Sequence, residues 1–429
     1  MKKTERDFII RLIKREVVPA IGCTEPIAVA LCVSKAARLL GKEPEKIKVL
    51  LSANILKNAM GVGIPGTGMI GLPIAVALGA LAGNPDYQLE VLKDITSDDV
   101  ERGKQVIAEN RIDIQLKENI AEKLYIEVIM SAGPDETTAI ISGGHTCFVY
   151  EARNGNVLLD ERISAVAEES EEDGSLSLRK VYDFALTAPL EEIDFILDSA
   201  RLNKAAAEAS FKGDYGHSLG KSLRNDNERR VMGDSVFTRI LSYTSGACDA
   251  RMAGAMIPVM SNSGSGNQGI AATLPVVVYA EENQKSREEM IRALVLSHLT
   301  VIYIKQSLGR LSALCGCVVA ATGSSCGITY LMGGGYEEMT YAVKNMVANL
   351  TGMICDGAKP SCAMKLTSGV STAVFSAMLA MEHKCVTAVE GIIENDVDRT
   401  IHNLTRIGAQ GMNETDRLTR ITENLLRLT

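Results

Sequence analysis

Apolar residues recur at helical spacing along most of the chain and alternate with polar residues in a few short stretches. A first amphipathic helix is predicted over residues 4–18, with an apolar face made by Phe8, Ile9, Leu12, Ile13 and Val17. Further helices are predicted over residues 24–40, 69–81, 87–93, 97–109, 190–212, 231–250, 288–306, 337–354 and 398–428. Strands are predicted over residues 47–55, 112–116, 124–130, 137–142 and 147–150. This distribution predicts the α+β class.

The predicted strands fall within one part of the chain, which divides it into three regions. Residues 1–42 are expected to form N-terminal helices that pack on a helical body, and residues 43–165 an inserted α+β domain with a small mixed or antiparallel sheet. Residues 175–429 are expected to form the mostly helical body itself. An acidic run that ends in glycine, residues 164–174, is typical of a boundary between the last two regions.

Composition and charge exclude several classes of protein. The chain has 429 residues, of which 46% are hydrophobic and 23% charged, and a net charge of −8 gives no electrostatic reason to bind nucleic acid or an anionic membrane. The uncharged stretches 58–85, 252–280 and 311–336 contain many Gly, Ser, Asn or Pro residues, so we expect them to line a pocket and not to cross a membrane. The first 16 residues lack the apolar core of a secretory signal, and a cytoplasmic location is expected.

Ten cysteines without a secretory signal indicate reduced thiols, and half of them lie between residues 311 and 362. Gly357 and Pro360 allow the chain to fold back, so that Cys355, at the end of one helix, and Cys362, at the start of the next segment, face one point. A third thiol is expected from Cys315, Cys317 or Cys326. Three thiolates with an open fourth position are typical of a reactive iron–sulfur cluster, four closed ligands of electron transfer or structural zinc. Packing of small buried residues is the remaining alternative.

The motif I-G-C-T-E-P at residues 21–26 places a cysteine at a predicted helix start. Thr24 is the expected N-cap and Pro26 suits the first turn, so Cys23 lies where the helix dipole favours a thiolate. Cys23 is therefore a candidate catalytic base. The alternative is a small residue at a tight turn.

Two glycine-rich loops are candidates for substrate binding. Lys57 and Asn58 stand at the start of the first loop and are expected to contact a small anionic substrate. Residues 61–66 match G-x-G-x-x-G, but the predicted strand ends too early and Pro65 interrupts the turn, so NAD binding is not predicted. The same pattern recurs at residues 264–269.

The second loop, S-N-S-G-S-G-N-Q-G at residues 261–269, lies between two apolar segments. Burying so many polar groups is costly unless they have partners, and a carboxylate and an ammonium group would be such partners. The expected substrate-binding residues are Asn262, Ser263, Gly264, Asn267 and Gln268. The alternative is a structural loop whose polar groups are satisfied by hydrogen bonds within the loop and by water. His145, between two predicted strands, is by position alone a surface or hydrogen-bonded residue.

The segment from Cys315 to Cys362, with G-G-G-Y-E-E (333–338) and G-M-I-C-D-G-A-K-P-S-C (352–362), resembles the iron–sulfur segment of oxygen-sensitive bacterial L-serine dehydratases. With the motifs at 21–26 and 261–269, the chain most resembles the L-cysteine desulfidase family. The resemblance implies a [4Fe-4S] cluster, expected to be lost from protein prepared in air. It implies a proton acceptor or transient iron ligand at Cys23, and a loop with His145 near the active site. The implied cluster ligands are Cys315, Cys355 and Cys362, with Cys317 as the alternative to Cys315.

The implied function is that of a lyase, which converts L-cysteine to sulfide, pyruvate and ammonia. An L-serine or threonine ammonia-lyase on the same scaffold is the nearest alternative. An alternative of another class is a non-catalytic metabolite-binding protein with zinc-binding or structural cysteines. A pyridoxal phosphate lyase is not favoured, because no lysine stands in a recognisable cofactor context. The expected partners are a small amino-acid substrate and a second copy of the chain in a homodimer, without nucleic acid or membrane.

Overall fold

The computed structural model describes residues 1–118, 120, 122–162, 176–225, 230–309 and 311–422. The predicted α+β class is confirmed. The α-helices are Lys3–Glu16, Thr24–Leu40, Ala53–Ala59, Leu72–Leu81, Ser97–Ala108, Leu178–Thr187, Leu190–Ile193, Leu197–Lys212, Leu219–Ser222, Val236–Met252, Gly266–Glu282, Arg287–Leu308, Gly316–Leu331, Tyr336–Leu350, Cys362–Met381, Val397–Arg406 and Asn413–Thr422. The strands are β1 (Pro19–Ile21), β2 (Lys46–Leu51), β3 (Ile112–Leu116), β4 (Tyr125–Ala132), β5 (Asp135–Ser142), β6 (Phe148–Arg153), β7 (Asn156–Asp160) and β8 (Pro258–Met260).

The six strands β2 to β7 form one mixed sheet in the order β3-β2-β4-β5-β6-β7. Only the β2–β3 pair is parallel, and the other neighbours are antiparallel. In β4 every second residue is buried, because Ile126, Val128 and Met130 share the face that is covered by the Thr24–Leu40 helix. One face of the sheet thereby contributes to a hydrophobic core.

Two hydrophobic cores divide the chain, and the two N-terminal helices belong to different ones. Ile9 and Ile13 of the first helix are buried in the core of the helical body. Leu31 and Val33 of the Thr24–Leu40 helix are buried with the sheet, so most of this helix packs on the α+β domain, while its first residue, Thr24, contacts the polar loop. Because so much of this second helix is apolar, its sequence does not indicate which core it joins. The acidic run 164–174 and the boundary expected at residue 165 lie outside the described residues.

The short strands β1 and β8 connect the N-terminus to the polar loop. They pair antiparallel, with Ala20 opposite Val259. The amide of Ser261 continues this contact by donating to the carbonyl of Val18 at 2.9 Å. The motif at residues 21–26 and the loop at residues 261–269 are therefore held next to each other.

Most predicted elements are present with shifted ends. The helix expected over residues 337–354 ends at Leu350, so Cys355 lies in the following connection and does not end the helix. The helix expected to begin with Ser97 as cap is capped by Thr96, which forms a capping box with Asp99. The helix expected over residues 87–93 is a 3₁₀ turn at Pro85–Glu90.

Candidate active site

One cavity lies where the start of the Thr24–Leu40 helix meets the cysteine-rich part of the helical body. Its wall comes from parts of the chain that are far apart in sequence. The lining residues are Cys23, Glu25, Asn58, Arg251, Ser265, Asn267, Gln268, Cys315, Gly316, Cys317, Cys355, Gly357, Ala358, Cys362, Lys365 and Leu366. The structure thus brings the N-terminal motif, half of the polar loop and the cysteine-rich segment to one place.

We call the three thiols of Cys315, Cys355 and Cys362 the thiol wall. Two connections pair side by side to form it: the amide of Cys315 donates to the carbonyl of Met353 (3.0 Å), and the amide of Cys355 donates to that of Ala313 (2.6 Å). Cys362 is the first residue of the next helix. The chain folds back between Cys355 and Cys362, as the sequence predicts.

The thiol wall is a poor environment for unassisted ionisation. Burial raises the pKa of Cys355, although Lys57 and Lys365 act in the opposite direction, and burial raises the pKa of Cys362 to about 11. A hydrogen bond with Cys317, together with burial, raises the pKa of Cys315 well above its usual range. Thiolates in such surroundings require a compensating positive charge, and a bound metal centre supplies one.

The three side chains of the thiol wall are all cysteines and line one cavity. Cysteine thiolates are the usual ligands of iron–sulfur clusters, so the chemistry of these residues fits such a group. Within the described ranges, no group of three or more His, Cys, Asp or Glu side chains is arranged to hold a single metal ion. The neighbouring thiol of Cys317 already has a protein partner, because it donates to the carbonyl of Lys365 at 2.9 Å.

We call the group of Cys23, Glu25, Asn58, Arg251 and Gln268 the polar wall. The buried carboxylate of Glu25 accepts a hydrogen bond from the Cys23 thiol (3.1 Å) and another from the Asn58 amide (3.1 Å). The Thr24 hydroxyl also lies 2.9 Å from this carboxylate. Glu25 is thus at the centre of a hydrogen-bonded group that includes the candidate base.

Cys23 is the N-cap residue of its helix and Thr24 the first helical residue, so the cysteine has the predicted position and Thr24 is not the cap. Its protonation differs from the prediction. Burial and the nearby Glu25 raise the pKa of Cys23 well above its usual range, and Arg251 offsets only part of this effect. The helix dipole alone therefore does not produce a thiolate, and Cys23 is a thiol that donates to Glu25.

Neither His145 nor Lys57 lines the cavity. His145 is buried, and although burial disfavours an ionised Glu25, the charge of His145 and the hydrogen bond from Cys23 hold the pKa of Glu25 below its usual value. Lys57 is buried between the carboxylate of Asp416 (3.1 Å) and the carbonyl of Cys355 (3.3 Å). Both residues therefore act on the site through neighbours.

The polar loop divides its side chains between the cavity and the core. Asn267 and Gln268 line the cavity. Asn262 does not, because its amide donates to the carbonyl of His298 at 3.1 Å and lies 3.0 Å from the ring Nδ1. The hydroxyl of Ser263 donates to Asn262 (2.8 Å), and the carbonyl of Gly264 lies 2.8 Å from the Thr24 hydroxyl. The contacts of Asn262, Ser263 and Gly264 are therefore those of a structural loop, which was the alternative to substrate binding.

Three side chains of the polar wall carry buried polar atoms without a protein partner. They are Oδ1 of Asn58, Nε of Arg251 and Oε1 of Gln268. Leaving such atoms unpaired costs about 1–3 kcal/mol each. The two acceptors and the donor belong to residues that line one cavity, a set that suits a small ligand with both an ammonium and a carboxylate group.

A family model for the serine dehydratase alpha chain matches residues 86–419. The chain belongs to the serine dehydratase alpha chain family. The UPF0597 proteins of Bacteroides fragilis and Porphyromonas gingivalis are 75% identical over 418 residues and 58% identical over 424 residues, and each match covers 97% of this chain and 98% of the relative. The UPF0597 protein of Oleidesulfovibrio alaskensis is 46% identical over 419 residues, 97% of this chain and 98% of the relative.

Membership of the serine dehydratase alpha chain family confirms the resemblance at the level of serine dehydratase-like proteins and indicates a lyase. The family is associated with iron–sulfur chemistry in general. The matched range contains the polar loop and the thiol wall, whereas Cys23 and Glu25 precede it. The relatives' name does not specify a substrate.

Two residues of the polar wall, Glu25 and Arg251, are absent from the sequence-based prediction. Glu25 is part of the motif that identifies Cys23, and its place two residues after the candidate base is the signal that could have been used. Arg251 is a single charged residue near the end of a helix and carries no such signal.

The glycines of the first loop have a packing role. A Cβ at Gly63 would lie 2.4 Å from the backbone of Ala253, and the Gly63 amide donates to the carbonyl of Met252 at 3.0 Å. The close backbone contact explains the glycine without a nucleotide phosphate.

Of the described helices, one, Cys362–Met381, is long and apolar enough by composition to cross a membrane. Half of its most apolar window is buried inside the protein, as in a core helix.

Proposed function

We propose that this protein is an iron–sulfur-dependent lyase that eliminates sulfide from L-cysteine. The α,β-elimination breaks the Cα–H and Cβ–S bonds, and the resulting aminoacrylate reacts with water to give pyruvate and ammonia. The observation that carries the proposal is the single cavity that unites the thiol wall with the polar wall.

The thiol wall would hold a [4Fe-4S] cluster through Cys315, Cys355 and Cys362. When bound, such a cluster supplies Lewis-acid chemistry at an open iron position. A soft sulfur leaving group suits iron better than a hydroxyl, which favours cysteine over serine. Gly316 and Ala358 add little side-chain bulk to this side of the cavity.

Cys23 is the proposed proton acceptor, acting together with Glu25. The thiol at rest donates to Glu25 at 3.1 Å. The raised pKa of Cys23 and the lowered pKa of Glu25 oppose transfer of this proton to the carboxylate, so the thiolate that takes the proton from Cα would be a minor species. Asn58 and Gln268 can accept from the substrate ammonium through the oxygen atoms that lack a protein partner. His145 would support this group through its charge on Glu25, Lys57 would support the thiol wall through the carbonyl of Cys355, and Asn267 would orient Arg251.

An L-serine ammonia-lyase with the same residues is the nearest alternative, and threonine is a further candidate substrate. The test is incubation of anaerobically purified protein with L-cysteine, L-serine or L-threonine, with pyruvate or 2-oxobutyrate as the readout. The proposal expects the highest kcat/KM for L-cysteine, with sulfide released in equal amount to pyruvate. A higher value for L-serine would assign the protein to the alternative.

A non-catalytic metabolite-binding protein with zinc-binding or structural cysteines is the alternative of another class. Iron and acid-labile sulfide analysis of protein purified without oxygen distinguishes it. We expect about four iron atoms for each chain, from the composition of the cluster. Colourless protein with zinc or without metal, and no pyruvate from any of the three amino acids, would refute the lyase proposal.

We also propose a cytoplasmic homodimer. The described cysteines are all free, which suits a reducing compartment. The Cys362–Met381 helix exposes an apolar face, which two copies could bury across a two-fold axis. This face is made by Met364, Phe375, Met378 and Leu379. Light scattering after size exclusion should give twice the chain mass, and Phe375→Asp should give the monomer. A wild-type monomer would refute the dimer.

A further inference from the structure

We infer that Arg251 is the receptor for the α-carboxylate of the substrate, so that the cavity selects α-amino acids over the corresponding amides. This inference rests on the proposed function, because it takes the cavity to be the substrate site. The carboxylate end of the substrate would contact the polar wall, and the Cβ end, with the leaving group, would face the thiol wall.

Arg251 is a buried cation without an ion-pair partner among the described residues. Its side chain is only 3% exposed and lines the cavity. Its guanidinium donates from Nη1 to Oδ1 of Asn267 at 2.9 Å, and Nε has no partner. Among the described residues it forms no ion pair with Asp or Glu. A charge buried in this way is costly, and a bound anion removes the cost.

The other two basic side chains at the site already have carboxylate partners. Lys57 pairs with Asp416 at 3.1 Å. Lys365 pairs with Asp356 and donates to the carbonyl of Ile354 at 3.0 Å. Arg251 is therefore the cation of the cavity wall that is best able to bind an incoming carboxylate.

The surrounding residues hold the guanidinium in place before a ligand binds. A Cβ at Gly266 would lie 2.2 Å from Nε of Arg251, so only glycine at this position leaves room for the side chain. Asn267, the next residue, fixes Nη1. A planar guanidinium fixed in this way is suited to a two-pronged contact with a carboxylate.

Arg251 lies near Cys23, as is required if the first binds the carboxylate and the second removes the proton from Cα. The proton that Cys23 would remove is on Cα, which is bonded directly to the carboxylate carbon. The receptor for the carboxylate must therefore lie beside the base. Arg251 and Cys23 line the same cavity and are close enough for the guanidinium charge to act on the thiol.

The test compares L-alanine with L-alaninamide, which differ only in that a neutral amide replaces the carboxylate. Neither has a leaving group on Cβ, so binding can be measured by calorimetry without turnover in anaerobically purified, iron-loaded protein. Wild type should bind L-alanine more tightly. Arg251→Met should lower the affinity for L-alanine by about tenfold to a hundredfold and leave that for L-alaninamide unchanged.

Arg239→Met is the matched control, because it removes an arginine from the same helix where that arginine pairs with Glu282 at the surface. It should keep the wild-type preference. If Arg251→Met does not fold, Arg251→Gln serves instead, with the same expected result. The inference would be overturned if wild type showed no preference for L-alanine over L-alaninamide. It would also be overturned if the Arg251→Met variant kept this preference or lost affinity for both ligands equally.

Iron content and pyruvate formation are measured on the same samples. If Arg251 instead neutralised the thiol wall, Arg251→Met would lose iron and keep its preference for L-alanine, which also overturns the inference. Wild-type protein that prefers L-alanine but makes no pyruvate from L-cysteine would refute the proposed lyase activity. It would not refute the role of Arg251 as the carboxylate receptor. Turnover without any preference would refute the receptor alone.

Discussion

The two walls of the cavity are built in different ways. The thiol wall comes from one part of the helical body, where two connections pair through the amides of Cys315 and Cys355. The polar wall is assembled from segments distant in sequence, with Glu25 and Arg251 as its buried charges. The first wall depends on local chain geometry and the second on how the two domains meet. Cofactor retention and proton transfer should therefore be separable by mutation.

The largest expected effect is on the thiol wall. Cys355→Ala, purified without oxygen, should lose the cluster iron and all pyruvate formation from L-cysteine, because two thiolates remain for a cluster that needs three. Iron analysis and the pyruvate assay measure this directly. Cys385→Ala removes a half-exposed cysteine outside the cavity and should change neither quantity. A Cys355→Ala protein with full iron and turnover would remove this residue from the site.

On the polar wall, Cys23→Ala should keep its iron and lose turnover by about 10³-fold, in the range for loss of a proton-transfer group. Iron content and sulfide release are compared in one preparation. Loss of iron together with turnover would contradict the separation of the two walls. Sulfide release at the wild-type rate would exclude Cys23 as the base.

Glu25→Gln should keep its iron and lose turnover by about 10²-fold near neutral pH. The glutamine cannot accept the thiol proton, so the thiol must ionise to solvent. Burial still raises the pKa of Cys23 in the variant, although the rise caused by the Glu25 charge is lost, so the variant should regain activity as the pH is increased into the alkaline range. A kcat profile from pH 6 to 10 tests this. Wild-type turnover at pH 7 would show that Glu25 has only a structural role.

Asn262→Ala should affect stability and not catalysis. Removal of its amide takes this partner from Nδ1 and the carbonyl of the buried His298, whose Nε2 keeps Thr273 at 3.0 Å, and should cost about 1–3 kcal/mol in the free energy of unfolding. Urea unfolding gives this quantity, and KM for L-cysteine should remain at the wild-type value. A large rise in KM with normal stability would return Asn262 to the substrate site.

The smallest effect is expected at Asp249, on the same helix as Arg251 but outside the cavity lining. Burial raises the pKa of Asp249 from 3.8 to about 6, so the folded protein holds this proton more tightly than the unfolded chain. Its contribution to stability is present below pH 3.8 and is lost as the pH rises through about 6. Asp249→Asn should therefore gain stability relative to wild type between pH 5 and pH 7. Urea unfolding at both values measures the change, and no relative gain would contradict the pKa shift.

The thiol wall was accessible to sequence reasoning because its signals are local. Gly357 and Pro360 interrupt the chain between two cysteines, and the fold follows that interruption. The same holds for Cys23 at its helix start. The metal ligands and the catalytic role of Cys23 remain predictions until iron and turnover are measured.

The polar wall was harder to predict from the sequence, because its members are brought together by contacts between segments that are distant in sequence. Arg251 stands in a helix whose sequence gives no indication of the guanidinium's surroundings. Asn262 and Gln268 share one polar motif, yet one amide is bonded to His298 and the other lines the cavity. Ser263, between them, has a left-handed backbone conformation with φ of +48°, which turns the chain so that the two side chains have different surroundings. The periodicity of the sequence does not indicate this turn.

The contact of Lys57 with the carbonyl of Cys355 joins residues that are 298 positions apart. During synthesis the N-terminal motif leaves the ribosome long before its counterpart in the last third of the chain exists. A nascent chain therefore cannot assemble this pocket until translation is nearly finished. For the cell, this delay means that incomplete chains lack the assembled site.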